Sequence, residues 1–220
     1  MSKLTWDQTG ERLYETGVEQ VALYVHDGSA YKTGVAWNGC TALNLTPSGA
    51  EPTNLYANDR KYLALMSAEE MGGTIEAYTF PTEFNACNGT AELAPGVYAG
   101  QQTRRTFALV AKTLIGNDTD MNKHGYKLHI LYGCLASPSE QAYASVNDSP
   151  EAVTLSWEFT TTPVAVTKVD GVESTAYICI NSTEVDETKL AALEAALYGG
   201  ESAEPTIKTP DEIYEMLKAA

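Results

Sequence analysis

Three histidines, four cysteines and 29 carboxylates are the residues of this 220-residue chain that could do chemistry, and their spacing argues against most of it. His26 sits in the turn-like run His26-Asp27-Gly28-Ser29 and His124 in a polar stretch. His129 lies between Leu128 and Ile130, where a lone imidazole reads as a packed strand residue rather than an acid–base group. There is no GxSxG, HExxH or P-loop, and no GxGxxG in a strand-to-helix setting. Cys40, Cys87, Cys134 and Cys179 stand far apart without a CxxC pair. That argues against a zinc site and against a secreted disulfide framework, so buried free thiols are expected. Asn117-Asp118-Thr119-Asp120 begins like a calcium loop but lacks its glycine and its terminal glutamate. Glu69-Glu70 reads as a solvated face, and Arg104-Arg105 is too small for a nucleic-acid patch. The expectation is a protein with no catalytic residue, no cofactor and no metal.

Something other than an active site must therefore organise the chain. A net charge of -15 runs opposite to phosphate binding, which depends on clustered Lys and Arg. It favours solubility, or a surface that must not hold nucleic acid. The opening run MSKLTWDQTGERLYETG has no apolar core of the kind a secretory signal needs, and no window is apolar over a membrane-spanning length. A cytoplasmic origin is the expectation. Under it the glycosylation patterns Asn88-Gly89-Thr90 and Asn117-Asp118-Thr119 carry no meaning.

The elements read as mostly strands. Val18 to Val25, Asp27-Gly28 and Tyr31 to Trp37 form a β-hairpin pattern, and Cys40 to Leu45 continues in strand. Lys61 to Met66 and Thr74 to Phe80 are expected strands. Pro81 to Gly89 should be a short helix, with Thr82 near its N-cap. A Gly- and Ala-rich loop runs to about Gly100. Arg104 to Thr113 follows as a strand with Phe107, Leu109 and Ala111 on one face. Gly116 to Gly125 should be a polar surface loop, and Tyr126 to Leu135, Val153 to Thr160 and Ala176 to Asn181 three more strands. Leu190, Leu193 and Leu197 stand at helical spacing within Asp186 to Tyr198. Thr209-Pro210-Asp211-Glu212 opens a second helix with a capping box. Two units are expected: a β domain over 1–182, and a helical C-terminal arm over 183–220 that packs on its own domain or on a neighbour.

The stretch Leu45 to Tyr62 fits none of these elements. Rich in Pro, Gly, Ser and Asn, it reads as too polar for strand or helix and too long for an idle loop. The Leu55-Tyr56 pair argues against a disordered linker, so it is expected to dock on something. A second, shorter strand–loop–strand run from Tyr126 can be laid against the one from Tyr31. It matches Gly39-Cys40 with Gly133-Cys134 and Thr74-Ile75 with Thr154-Leu155, as an internal duplication would. Trp37, Trp157 and the tyrosines also suggest a carbohydrate-binding sandwich, but their alternation within strands makes them core residues.

Several stretches resemble the major tail proteins, or tail-tube subunits, of long-tailed bacteriophages of Gram-positive bacteria. These are LYANDRKY, FPTEFNACNG, GVYAGQQTRRTFALVAKTLIGND, YGCLASPSEQAYASVNDSPEAVTLSWEFTTTPVAV and ALYGGESAEPTIKTPDEIYEML. They cover nearly the whole chain in order. The resemblance implies a mainly β fold of two packed antiparallel sheets, sandwich- or barrel-like, with a flanking α-helix, a long inter-ring loop and a helical C-terminal arm. It implies hexameric rings that stack into a virion tail tube around a tape-measure protein and end at tail terminator and tail-tip proteins. DNA would cross the lumen without specific binding, and no membrane is involved. Assembly would take place in the host bacterial cytoplasm. Carried onto this chain, the inter-ring contact is expected at Pro47, Pro52, Leu55, Tyr56, Asn58, Asp59 and Arg60. A contact of the C-terminal arm is expected at Ile213, Tyr214 and Leu217. A capsid decoration protein, or the tube of a contractile or tail-like particle, is the alternative.

Overall fold

Alternation of apolar residues lays down the first strand, and the computed structural model, which describes residues 3–143, 145, 152–200 and 203–218, buries both faces of its second half, Val21 to Val25. In β1 (Tyr14–Val25), Val21, Leu23 and Val25 face one core while Ala22 and Tyr24 face another. The chain turns at Asp27, whose Oδ1 accepts from the N–H of Ser29 at 2.9 Å and of Ala30 at 3.0 Å. It then returns through β2 (Val35–Ala36), paired with Ala22 and Leu23. β3 (Cys40–Leu45) leads out to β4 (Ser48–Gly49), β5 (Pro52–Ala57), β6 (Arg60–Met66) and β7 (Glu69–Glu70), and β8 (Gly72–Ala77) comes back beside β3. A short 3-10 helix (Thr82–Ala86) precedes the hairpin β9 (Ala91–Ala94) and β10 (Val97–Ala99). Then come the long strands β11 (Phe107–Asn117) and β12 (Met121–Ala136), β13 (Leu155–Thr160), the small pair β14 (Val164–Ala165) and β15 (Ser174–Thr175), and β16 (Tyr177–Asn181). The helices α1 (Glu187–Tyr198) and α2 (Pro210–Leu217) follow.

The protein is mainly β, with antiparallel sheets, as the sequence led us to expect. One sheet runs β2-β1-β11-β12, with β16 on the far side of β12, and a second runs β12-β13-β8-β3. β12 belongs to both. Lys127 to Leu131 pair with β16, whereas Leu135 and Ala136 pair with Thr160 and Phe159. The strand passes between them at Gly133, which sits at φ 58°, and a Cβ there would meet the Thr162 carbonyl oxygen at 2.4 Å. Only glycine accepts both that backbone region and that approach.

Two cores follow from this arrangement. Between the sheets, Leu23, Leu109 and Leu131 meet Ile75, Trp157 and Phe159. Phe84 from the 3-10 helix fills the middle, its ring 4.6 Å from Trp37, 5.2 Å from Trp157 and 5.5 Å from Phe107. Trp37 and Trp157 are thus core residues. On the other face of the first sheet, Tyr24, Val110, Leu128 and Ile130 lie under Leu190, Leu193 and Leu197 of α1 and Ile213 of α2. Lys112 crosses this second core to Glu194 at 2.7 Å, with its ammonium 4.3 Å from the Tyr126 ring centroid. Burial, and then the neighbouring Glu194 carboxylate, push the Tyr126 hydroxyl up to about 12.

The structure departs from the sequence reading at several places. Pro81, not Thr82, occupies the cap position, and the helix is a single 3-10 segment without a side-chain cap bond. The polar stretch Gly116 to Gly125 is mostly strand. Asn117 closes a tight turn there, its Oδ1 accepting from Thr119 N at 3.1 Å and Asp120 N at 2.5 Å. The Gly- and Ala-rich loop contains the β9–β10 hairpin, turned by Pro95 and Gly96. The two helices seal their own sheet. α2 carries the expected capping box and is held by Asp211, which accepts from Thr167 N at 2.9 Å, Thr167 Oγ1 at 2.6 Å and Lys168 N at 3.1 Å. The supposed duplication has the right strand order, since β3–β8 and β12–β13 flank one seam, but not the register. Cys40 stands opposite Ala77, so the alignment would put Cys134 opposite Trp157, whereas Leu135 pairs with Thr160. The intervening residues Ala144 and 146–151 lie outside the described ones.

Candidate functional site

The stretch expected as an irregular loop is a β-hairpin arm. It starts where Leu45 stands opposite Gly73, narrows through the pairs Ser48 with Glu70 and Gly49 with Glu69, and continues as β5 and β6. Its tip is the two-residue turn Asn58-Asp59, with φ of 50° and 59°. Two consecutive positive φ values define the turn whose twist matches a hairpin, and Asn and Asp are the non-glycine residues that tolerate it best. The polar composition that hid the strands belongs to the root, residues 46–52. Beyond it, the polar pair Thr53-Asn54 precedes the apolar pair Leu55-Tyr56, so each face of the ribbon carries one residue of each kind and neither face is buried.

Every residue from Glu51 to Glu70 is exposed. Leu55 stands opposite Leu63, and Thr53 opposite Leu65, so Leu55, Leu63 and Leu65 share one face by the two-residue period of a strand. Tyr56 and Met66 fall on the other face. A register shift between Leu55 and Tyr56 leaves Tyr62 as the extra residue of a bulge. Tyr56, Tyr62 and Met66 are about as open as side chains become, at 70%, 73% and 69%. The arm is apolar on both sides and, among the described residues, none of its side chains from Glu51 to Glu70 is buried.

Of the residues expected here, Pro47 lies at the root, Pro52 opens β5 opposite Met66, and Leu55 and Tyr56 lie mid-strand. Asn58 and Asp59 form the tip, and Arg60 opens β6 opposite Ala57. The structure brings them together on one element. Sequence reasoning missed Leu63, Leu65 and Met66, which it took for an ordinary sheet strand, and it ended the docking stretch at Tyr62 without naming that residue as a contact. The two-residue spacer between apolar runs was the signal that joins them to Leu55 and Tyr56. It also missed Leu93, Val97 and Tyr98, exposed on the β9–β10 hairpin. The C-terminal trio divides. Ile213 is buried in the second core of its own chain and Leu217 packs against that core, which leaves Tyr214 facing outward.

The titratable groups behave as structural ones. His129 is buried, with its ring nitrogens 2.8 Å from Thr113 Oγ1 and 2.7 Å from Tyr177 Oη, and burial lowers its pKa. His26 Nδ1 accepts from Gly28 N at 3.1 Å. His124 Nδ1 lies 3.5 Å from Asp120, whose pKa is lowered by hydrogen bonds from Asn117 and His124. Asp118 accepts from Gly10 N at 2.9 Å, tying the N-terminal segment to the β11–β12 turn. Arg104 spends its guanidinium on backbone carbonyls, Cys87 O at 3.3 Å and Ala136 O at 3.2 Å. Cys87 and Cys134 are buried and Cys40 is half-buried, but Cys179 is exposed, against expectation. Strand alternation beside the buried Ile180 turns it outward on β16. Among the described residues, no three His, Cys, Asp or Glu side chains are grouped to hold a metal ion, and no helix is long and apolar enough to cross a membrane.

No protein-family model and no curated protein matches the chain. Among solved structures, it is similar to a chain in the cryo-EM structure of the anti-feeding prophage (AFP) baseplate, 6-fold symmetrised. The identity is 10% and the TM-score 0.37, over 82% of this chain and 97% of that one.

Proposed function

We propose that the protein is a structural subunit of the tail tube of a long-tailed bacteriophage. In this reading it closes into hexameric rings that stack around a tape-measure protein, end at terminator and tail-tip proteins, and pass DNA through the lumen. It is assembled in the host bacterial cytoplasm and works in the virion, without catalysis.

The observation that carries this reading is the arm, exposed from Glu51 to Glu70 with Leu55, Tyr56, Tyr62, Leu63, Leu65 and Met66 displayed. An isolated two-stranded hairpin is at best marginally stable in water, and large exposed apolar patches mark interaction sites. An arm of this kind is paid for by docking. Three further features fit the same role. β3 and β16 lie at sheet edges, whose open backbone groups favour pairing with a neighbour. The helix–sheet–sheet layering is what the sequence resemblance implies. A net charge of -15 suits a channel along which phosphates slide.

Negative-stain microscopy of the purified full chain tests the proposal. Rings or tubes are expected, and deletion of the whole arm, Pro47 to Glu70, whose ends are joined by the Thr46 N to Gly72 O hydrogen bond at 2.8 Å, should leave isolated rings or monomers. A wild-type chain that stays monomeric at high concentration under conditions that favour apolar association refutes it. A capsid decoration protein would give small clusters without tubes in the same micrographs.

A further inference from the structure

The arm is one ribbon that is interrupted without being displaced. From Ala42 opposite Glu76 to Leu55 opposite Leu63, every cross-strand pair keeps the same register, so no residue is gained or lost on either strand. Within that register the pairing lapses twice. Pro47 and Met71 separate the second sheet from β4 and β7. Ala50-Glu51, facing Ser67-Ala68, then separates β4 and β7 from β5 and β6. A proline accompanies each gap, Pro47 inside the first and Pro52 directly after the second, and each withholds an N–H from the ladder.

The second gap also turns the chain. Gly49 sits at φ 83° and Ala50 at φ 53°, where a strand residue would lie at about −120 to −140°. A Cβ at Gly49 would meet the Ala68 carbonyl oxygen at 2.2 Å, so the two backbones approach here at a distance that excludes any side chain. Ala50 holds the left-handed conformation without a glycine's freedom to do so. On the facing strand, Ser67 and Ala68 keep negative φ. One strand kinks while the other runs through, and the ribbon bends without slipping. No side-chain packing braces the bend, since every residue from Glu51 to Glu70 is exposed. Inward of the gap the ladder is only the two pairs of β4 with β7, whereas outward of it β5 and β6 share six pairs and a closed turn. Segments with few buried contacts are the ones that move while the rest of a fold stays intact.

We propose that the arm is hinged at this second gap. β5 and β6 swing together as one ribbon, so that a free copy presents its apolar faces over a range of directions and docking on a second copy fixes one of them. The swing belongs to the single chain, and only its use in docking rests on the reading that the arm joins copies.

Distance distributions from pulsed electron paramagnetic resonance test the hinge, with spin labels carried on the keto amino acid p-acetylphenylalanine so that the native cysteines stay unmodified. In dilute, unassembled full-length chain, labels at Thr53 and Arg60, both on the ribbon, should give a narrow distribution. Labels at Arg60 and at Glu158, which pairs with Thr74 in the second sheet, stand across the hinge and at most roughly 45 Å apart by strand length. Their distribution should be at least twice as wide. Equal widths overturn the proposal, because the arm is then a stiff beam. A broad distribution within the ribbon overturns it as well, because the strands then fray instead of swinging together. Glu51→Cys with Ser67→Cys, in a Cys179→Ser background, places two thiols opposite each other in the gap. Their disulfide should narrow the Glu158–Arg60 distribution to the width found within the ribbon, and reduction should restore it. A pair that does not oxidise, or a width that does not respond, overturns the hinge. In assembled material, with labelled chains diluted into unlabelled ones, the same distribution should narrow, and an unchanged width overturns the fixing of the arm by docking. If a chain lacking Pro47 to Glu70 assembles as the intact one does, the reading of the arm as the contact between copies fails while the swing stands.

Discussion

Replacing Leu55 and Tyr56 together with serine should weaken assembly while leaving the fold untouched. Full burial of a large apolar side chain contributes about 2 kcal/mol. Leu55 is 42% and Tyr56 70% exposed in the free chain, so docking has about 0.8 and about 1.4 kcal/mol left to gain from them on the same scale. Their loss costs about 2 kcal/mol per arm, or roughly 30-fold in association. Neither side chain supports the core, so folding stability should change by less than about 0.5 kcal/mol. The critical concentration, read by pelleting and light scattering, should rise about 30-fold, with urea unfolding of the unassembled chain unchanged. A critical concentration that stays within about twofold of wild type refutes the argument that the arm is an adhesive surface. A loss of folding stability above about 1 kcal/mol refutes the claim that neither side chain supports the core.

Three other outcomes follow from the geometry. Gly133→Ala should cost about 2–5 kcal/mol in urea unfolding, combining the positive-φ penalty with the 2.4 Å approach to the Thr162 carbonyl oxygen; a cost under about 0.5 kcal/mol would mean that β12 does not bend there. With an aromatic disulfide reagent the native chain should release one fast equivalent of thiolate, from Cys179. Cys40, half-buried and with its thiol pKa raised by burial, should follow more slowly, and Cys87, pushed up to about 12 by burial, and Cys134, pushed up likewise, should react only on unfolding, so three fast equivalents from the native chain contradict the burial pattern. For His129 the folded-state pKa is lowered by burial, so the unfolded chain, near pH 6.5, takes up a proton first. Stability should be undiminished above that pH and fall as pH drops through it. His129→Gln should remove this share of the pH dependence, and an unchanged dependence in urea unfolding between pH 7.5 and 5.5 would show that the imidazole is not buried as a neutral group.

Burial patterns decided which elements could be read in advance. Phe107, Leu109 and Ala111 declare a strand because one face meets the inter-sheet core. Leu190, Leu193 and Leu197 declare a helix because their stripe meets the other core, and Thr209 with Glu212 marks the next start through its cap. The arm lacks such a signature, since a ribbon open to water on both faces has no side to keep apolar. The β9–β10 hairpin was hidden for a related reason, its small residues Ala91, Ala94 and Ala99 giving little β signal. At the β11–β12 turn, polar side chains that look like loop are bonded to the backbone they bend. As for the site, the outgoing strand was found through Leu55 and Tyr56. Past Tyr62 the returning strand was passed over because Leu63, Leu65 and Met66 look in isolation like a core strand, and their exposure is a tertiary fact.

The way the arm is rooted determines how it carries load. β3 and β8 leave the second sheet side by side at one end, so tension along the arm pulls both in the same direction and spares the ladder between them. The force crosses to the rest of the chain between β8 and β13, where six residue pairs from Gly72 opposite Thr160 to Ala77 opposite Leu155 are loaded in shear. Such a ladder yields only when its bonds break together, whereas a strand peeled from its end loses them one at a time. From β13 the pull passes into β12, whose length spreads it over both sheets, so a filament joined through these arms would resist stretching along the strands better than tearing across them.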